Sequence, residues 1–256
     1  MILVIDIGNT NIVKGVYAGE QLAGSVRLST RQSLTSDEVG LLLTGFLSRM
    51  GFTTDDIQQV VIGSVVPHLT GPFEAAARQY LNCEPLVLTA HVKLPVRIDI
   101  DQPDQAGADR IANAAAAFVR FGGPVIVVDF GTATTFDVVN AHGAYIGGVI
   151  SAGPETSMAQ LARRAARLYE VRVERPPAVI GRDTASALKS GLFHGTVGQV
   201  DHIIDKIIEE IAEHDVKVVA TGGLANGFET HSRYIQQVEP NLTLEGLRII
   251  GELNQR

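Results

Sequence analysis

The sequence predicts a mixed α/β fold: two copies of one unit around a central cleft. Three observations carry this prediction. An apolar run ends in an acid and a glycine at Val4-Ile5-Asp6-Ile7-Gly8-Asn9-Thr10-Asn11, and the same design returns at Val127-Val128-Asp129-Phe130-Gly131-Thr132-Ala133-Thr134. A shift of 123 positions, which carries Asp6 onto Asp129, also carries Leu3-Val4-Ile5 onto Ile126-Val127-Val128 and Gly8 onto Gly131. Without a gap it goes on to place Ile12-Val13 on Thr135-Phe136, Ala18 on Ala141, Gly24 on Gly147 and Val26 on Val149. Both halves then read, imperfectly, as strand–strand–strand–helix–strand–helix. In each Asp-x-Gly stretch a strand delivers a carboxylate to a tight turn, whose backbone N–H groups suit an anion. Clefts between domains are where ligands usually sit, so both turns are expected to line one.

Residues 2–7 read as a buried strand, 11–17 as a second and 22–30 as a third, joined at hairpin length as an antiparallel meander. Ser36-Asp37-Glu38 opens a helix to about Met50, because all three residues suit a helix N-terminus, and Gly51 ends it. Ser36 with Val39 does not complete a capping box. Residues 59–64 form a strand, Pro67 begins a helix to Leu81, and 85–88 and 95–100 are strand-like. A helix follows over 106–121, rich in alanine from Ala112 to Ala117, which permits close approach of a neighbour: the protein's own core or a second subunit. Gly122-Gly123-Pro124 is the strongest punctuation and divides the chain into domains 1–121 and 122–256, with the return of the last helix to the first domain left open. Beyond it come strands at 125–129, 134–139 and 144–150 and a helix from Pro154 to about Tyr169. Residues 171–181 are irregular. A helical stretch over 183–213 is expected to break near Gly191–Gly198, before a strand at 216–221, Gly222-Gly223 and a last helix over 242–254.

The totals exclude several classes. Apolar residues make up 45% of the chain, typical of a sizeable core, and the charged fraction of 19% argues against extensive disorder. A net charge of −7 does not point to a nucleic-acid groove. The single cysteine, Cys83, forms no internal disulfide and has no metal-binding spacing. No apolar run has the length of a membrane span, and no secretion signal opens the chain, so a cytoplasmic protein away from membranes is expected. The seven histidines show no metal spacing, and neither Gly-Lys nor Gly-x-Gly occurs, so the common mononucleotide and dinucleotide loop patterns fail.

Five stretches, in order, resemble type III pantothenate kinases of the acetate and sugar kinase/Hsp70/actin superfamily: Asp6 to Thr10, Gly107-Ala108-Asp109-Arg110-Ile111-Ala112-Asn113, Asp129 to Thr135, Thr221-Gly222-Gly223-Leu224-Ala225, and Leu242-Thr243-Leu244-Glu245-Gly246-Leu247. The resemblance implies two duplicated ribonuclease H-like (actin-like ATPase) domains. It implies ATP-dependent phosphorylation of pantothenate, the first step towards coenzyme A. It also implies magnesium, a monovalent cation (potassium or ammonium), and a homodimer whose active site is completed at the interface.

By the same resemblance the ATP phosphate loop is Asp6, Ile7, Gly8, Asn9, Thr10, Asn11, Ile12 and Val13, with Thr132 a second ATP contact. Asp6 acts through magnesium or an ordered water, since a carboxylate beside phosphates needs a cation between them. Asp109 is the general base, and Gly107, Ala108, Asp109 and Arg110 contact pantothenate. Asp129 binds the monovalent cation, Gly222-Gly223 turns beside the nucleoside, and Thr184 reaches pantothenate from the partner subunit. Read without the family, Asp6 is a turn cap, Asp109 a helix-start acid and Thr184 or Asp183 an N-cap. The chain departs from the family's pattern at Ile100, where a tyrosine is common, and at Gln105, where a glutamate is usual. A non-catalytic nucleotide-binding relative, or a kinase of a different small alcohol, stays open at this point.

Overall fold

Apolar runs buried on both faces become strands here, and amphipathic runs become the helices that cover them. The computed structural model describes residues 1–255. In chain order the described elements are β1 (Ile2–Ile7), β2 (Asn11–Ala18), β3 (Gln21–Ser29), α1 (Ser36–Arg49), β4 (Gln59–Ser64), α2 (Pro67–Leu81), β5 (Leu86–Val87), β6 (Arg97–Ile98) and α3 (Ala108–Phe121). Then follow β7 (Val125–Phe130), β8 (Ala133–Val139), β9 (Ala144–Ala152), α4 (Pro154–Arg164), α5 (Thr184–Ile211), β10 (Lys217–Thr221), α6 (Ala225–Phe228), β11 (Gln237–Val238) and α7 (Leu242–Leu253). The chain divides into two compact units: Met1–Arg120 together with the segment from Asn241, and Phe121–Pro240. Among the described residues no helix is long and apolar enough to cross a membrane.

The first unit is a sheet of order β3-β2-β1-β4-β5, with β1 antiparallel to β2 and parallel to β4. Alternation along β1 splits its side chains between two cores. Leu3, Ile5 and Ile7 meet α1 and α2 through Leu43, Leu47, Leu69 and Phe73, while Ile2 and Val4 meet α3 and α7 through Ile111, Ala112, Leu244 and Leu247. The alanine-rich helix therefore finds part of its close neighbour within its own unit. In the second unit the strands run β11-β10-β7-β8-β9. Ile126, Val128 and Phe130 face α5 and α6 through Phe193, Ile204 and Phe228.

The two meanders repeat, but not without gaps. Asp6 stands opposite Val13, whereas Asp129 stands opposite Thr135 rather than Phe136. The turn after β7 is one residue shorter than the turn after β1. Val13 then faces Arg27 and Thr135 faces Ile150, which restores the original shift on the third strand. The turn after β8 takes up the extra residue, held by Asn140 Oδ1, which accepts from the backbone N–H groups of His142 and Ala144. The same irregularity recurs between Val16 and Tyr17 and between Val138 and Val139, opposite Gly24 and Gly147.

Other expectations change too. Thr35, not Ser36, caps α1, and with Glu38 it forms a complete capping box: the Thr35 hydroxyl accepts from the Glu38 N–H at 3.2 Å and the Glu38 carboxylate accepts from the Thr35 N–H at 2.8 Å. Helix α4 stops at Arg164, short of Tyr169, with Ala165 in extended conformation, and Leu168 packs elsewhere as part of a cavity wall. Helix α5 is unbroken for 28 residues. Its glycines are carried by a continuous buried stripe of Phe193, Thr196, Val200, Ile204 and Ile207.

Lys14 interrupts the first core. It lies on β2 between Ile12 and Val16, is 1% exposed, donates to the Leu42 carbonyl at 2.7 Å and stands 5.4 Å from the Phe46 ring centre. Burial pushes its pKa down from 10.5 to about 8. The matching place in the second unit, opposite Val128 as Lys14 is opposite Ile5, holds Phe136. Between pH 8 and 10 the unfolded chain binds a proton at Lys14 that the folded chain has lost, so stability gains from rising pH there. Above pH 10 the Tyr17 phenol, pushed up to about 12 by burial and then by Glu245, works in the opposite direction. Lys14→Met is expected to stabilise the protein by about 1–3 kcal/mol at neutral pH, with the gain over the parent shrinking as pH approaches 10. Denaturant unfolding of both proteins across that range checks it; a variant less stable than its parent at pH 7 contradicts it.

Candidate active site

Alternation along β1 puts Asp6, half-buried, on the α3/α7 face at the strand's C-terminal end. Its neighbour across the parallel ladder is Gly63 of β4. A Cβ on Gly63 would lie 2.9 Å from Leu247 Cδ2 and 3.7 Å from Ala108 Cβ, so the first turn of α3 rests on the strand beside Asp6. Just past Gly63, Val65 sits 3.6 Å from where a Cβ on Gly107 would be. The structure thus gathers the β1 turn and Gly107–Arg110 at the C-terminal ends of β1 and β4. Gly63 and Val65 were not among the expected site residues; a glycine closing a buried strand was their only signal.

The turn after β1 is braced from within the unit. The Gly8 N–H donates to the Asn11 carbonyl at 2.9 Å, the Thr30 hydroxyl donates to the Gly8 carbonyl at 2.6 Å, and the Thr30 N–H donates to the Thr10 carbonyl at 2.9 Å. Asn9 and Thr10 form the exposed tip. Ile7 and Ile12 send their side chains into the core under α1 and α2, so only their backbone is available to a ligand. Val13, opposite Asp6, packs against the other core.

Gly107 precedes α3 and its carbonyl accepts from the Ile111 N–H at 3.0 Å. Asp109, in the first turn, folds back so that its Oδ1 accepts from the Arg110 N–H at 2.8 Å. That same oxygen would lie 2.5 Å from a Cβ on Gly107, so a side chain there would displace the carboxylate from this position. Burial raises the Asp109 pKa above the ordinary carboxylate value, against the pull of the Arg110 N–H and the Arg110 charge. A carboxylate held this way is a stronger proton acceptor than an exposed one, which suits a general base.

In the second unit Asp129, the penultimate residue of β7, lies on the face turned away from α5. The following turn closes with the Gly131 N–H donating to the Ala133 carbonyl at 3.0 Å. The Thr132 carbonyl accepts from the Gly153 N–H at 3.1 Å and from the Thr156 hydroxyl at 2.6 Å, which ties the turn to the start of α4. Gly222, at φ +92°, lies against this cluster: its Cβ would meet Asp129 Oδ1 at 2.5 Å and the Phe130 carbonyl at 2.6 Å. Two oxygens therefore converge on a space that any side chain at 222 would fill. Gly153 and Thr156 were also unforeseen, since their role is to hold a turn distant in sequence.

Thr184 stands on a different element from that cluster. It opens α5, exposed, behind Asp183, whose Oδ1 caps the helix by accepting from the Ser186 N–H at 2.8 Å. It lines a largely apolar cavity of about 510 Å³ between α4 and α5, with Met158, Leu161, Leu168 and Leu188.

The family model described as type III pantothenate kinase matches residues 2–206. A protein of that name from Roseiflexus sp. (strain RS-1) is 46% identical over 255 residues and one from Agathobacter rectalis 40% identical over 256 residues, covering 100% and 98% of those chains and 100% of this one. Among solved structures, a conserved putative Baf family transcriptional activator from Campylobacter jejuni superposes at TM-score 0.60 with 21% identity, over 98% of both chains. A putative 2-dehydro-3-deoxygalactonokinase from Sinorhizobium meliloti superposes at 0.63 with 12% identity, over 99% of this chain and 97% of that one. These structural likenesses show the fold alone, the two-domain architecture of the sugar kinases and actin-like ATPases.

Gly222→Ala is expected to destabilise the protein by about 1–3 kcal/mol, since it adds left-handed strain to a backbone collision. Gly227→Ala, with open space around its Cβ, is the control. Thermal melts that rank the two alike would contradict the close packing at Asp129.

Proposed function

From a chain that belongs to the type III pantothenate kinase family, we infer an enzyme that transfers the γ-phosphoryl group of ATP to the hydroxyl of pantothenate, the entry to coenzyme A synthesis. The observation that carries the chemistry is Asp109: half-buried, raised in pKa, and set in the first turn of α3 on the same sheet face as Asp6. In this reading the pantothenate hydroxyl attacks the γ-phosphorus and gives its proton to Asp109, while the bond to the β,γ-bridging oxygen breaks and ADP leaves. Phosphoryl transfer asks the protein mainly for positioning and for charge to offset the phosphates. The braced Gly8–Asn11 turn supplies the first, with Arg110 beside Asp109 matched to the carboxylate of pantothenate.

Among the described residues no group of three or more His, Cys, Asp or Glu could hold a metal ion. Asp6, beside the Gly8–Asn11 turn, would hold magnesium instead, a hard ion that keeps its waters and binds through one carboxylate plus substrate phosphates. When bound it would offset phosphate charge. At Asp129 we assign the monovalent cation, supported by the two oxygens converging beside Gly222. We also assign a homodimer in which Thr184 serves the partner's pantothenate site. Support comes from the stretch leading to Thr184, which exposes Leu161, Tyr169, Val179 and Ile180, the last at 84%.

ADP release that requires pantothenate and magnesium, and is faster in potassium than in sodium, is the expected result. Tight ATP binding without pantothenate-dependent turnover would sink the reading and favour a non-catalytic relative. Asp109→Asn is expected to lose about 10²-fold or more in kcat while retaining ATP binding. A base must be unprotonated, so kcat/KM should fall as pH drops through a point above the ordinary aspartate value of 3.8. An acidic limb at or below that value contradicts a buried base.

A further inference from the structure

We propose that Thr243 and Gly246 of α7 are positioning residues for Asp109, acting through α3; the proposal rests on Asp109 being the base. A short turn at Pro103–Gln105 and Gly107 lead into α3, whose first turn rests on Gly63. Along its length α7 holds it. The Thr243 hydroxyl donates to Asn113 Oδ1 at 2.8 Å, and Asn113, 1% exposed, lies one helical turn beyond Asp109. At Gly246 the two backbones touch directly: a Cβ there would lie 1.9 Å from the Ala112 carbonyl oxygen and 2.5 Å from its carbon. At the far end Arg120 pairs with Glu245 at 3.0 Å.

α7 and α3 also share one footing. Leu247 and Ala108 both rest on Gly63, the ladder neighbour of Asp6. The seating of α7 therefore sets where α3 sits relative to the β1 turn. Three residues of helix, about 4.5 Å of rise, separate Ala112 from Asp109, so a displacement at Ala112 reaches the carboxylate nearly undiminished. A Cβ at 246 needs about 1 Å or more of separation to clear the carbonyl, and misplacement of that size in an active site costs on the order of 10²-fold in rate.

The test is steady-state kinetics with pH profiles on the full-length enzyme. Thr243→Val keeps the side-chain shape and removes the hydroxyl. It should lower kcat by about 3–10-fold, roughly the worth of one hydrogen bond, leave KM for ATP within about twofold, and move the acidic limb of kcat/KM towards the ordinary carboxylate value as Asp109 meets more water. Thr243→Ser should restore both. Gly246→Ala should cost about 10²-fold in kcat; if it does not fold, the Thr243 pair decides alone. A Thr243→Val enzyme with an unmoved limb and unchanged kcat, altered only in melting temperature, overturns the proposal and makes the contact purely structural. An Asp109→Asn enzyme as active as its parent removes the base itself, and the positioning role with it. An impaired Asp109→Asn alongside an unmoved Thr243→Val limb overturns the positioning role alone.

Discussion

Direct contact between two helix backbones, at Gly246 and the carbonyl of Ala112, is the constraint on which the first unit depends. Side chains would hold the helices apart; glycine and alanine let them meet, and the two settle together on Gly63 of the sheet. Three consequences follow from that settlement. The alanines Ala108, Ala112 and Ala115 of α3 are buried with Ile111 against Leu244, Leu247 and Ile250. The first turn of α3, with its half-buried acid, comes to the strand that pairs with Asp6. And a segment that enters the unit only at the end of the chain becomes part of the core that seats the proposed base.

Duplication explains the rest of the architecture, and its imperfections are instructive. Each meander delivers an aspartate to the end of its first strand, and each strand is followed by a short turn. The turns then diverge. The first is closed around Asn9 and Thr10 and braced by Thr30. The second is one residue shorter and fastened to the start of α4 through Thr132, with Gly222 laid against Asp129. A loss of one residue in a hairpin would send every later side chain to the wrong face. Here the following turn restores the register, so the third strands keep the original spacing. Lys14 and Phe136 mark the same divergence inside the cores, where one unit holds a buried charge and the other an aromatic ring.

Much of this was legible in the residues. Strands β1, β4 and β7 end where apolar runs meet Asp, Gly or Ser, and the β3-β2-β1 part of the first sheet follows from three strands in hairpin sequence, whereas the parallel pairing of β4 with β1 does not. The gap-free repeat was wrong because one deletion and one insertion cancel, which a fixed shift cannot see. The break expected in α5 failed because glycine's propensity, about 1 kcal/mol per residue, is outweighed by the buried stripe from Phe193 to Ile207. Helix α4 stops short of Tyr169 although Ala165, Ala166 and Leu168 suit a helix locally, because Leu168 is taken by the cavity wall. The capping box of α1 is legible as Thr35-x-x-Glu38, one residue before the expected Ser36. Gly153 and Thr156 are out of reach of the sequence, since each matters only through a turn distant in the chain, and Gly63 and Val65 carry only the weak signal of a glycine near the end of a buried strand.

Phosphoryl transfer to pantothenate, with Asp109 taking the proton, is the step that every proposed residue role serves. Following the label from γ-³²P ATP tests it most directly. With pantothenate and magnesium present, label is predicted to appear in a phosphorylated pantothenate, and to do so far more slowly with Asp109→Asn. Label found only in inorganic phosphate, or transferred equally well by Asp109→Asn, would contradict it.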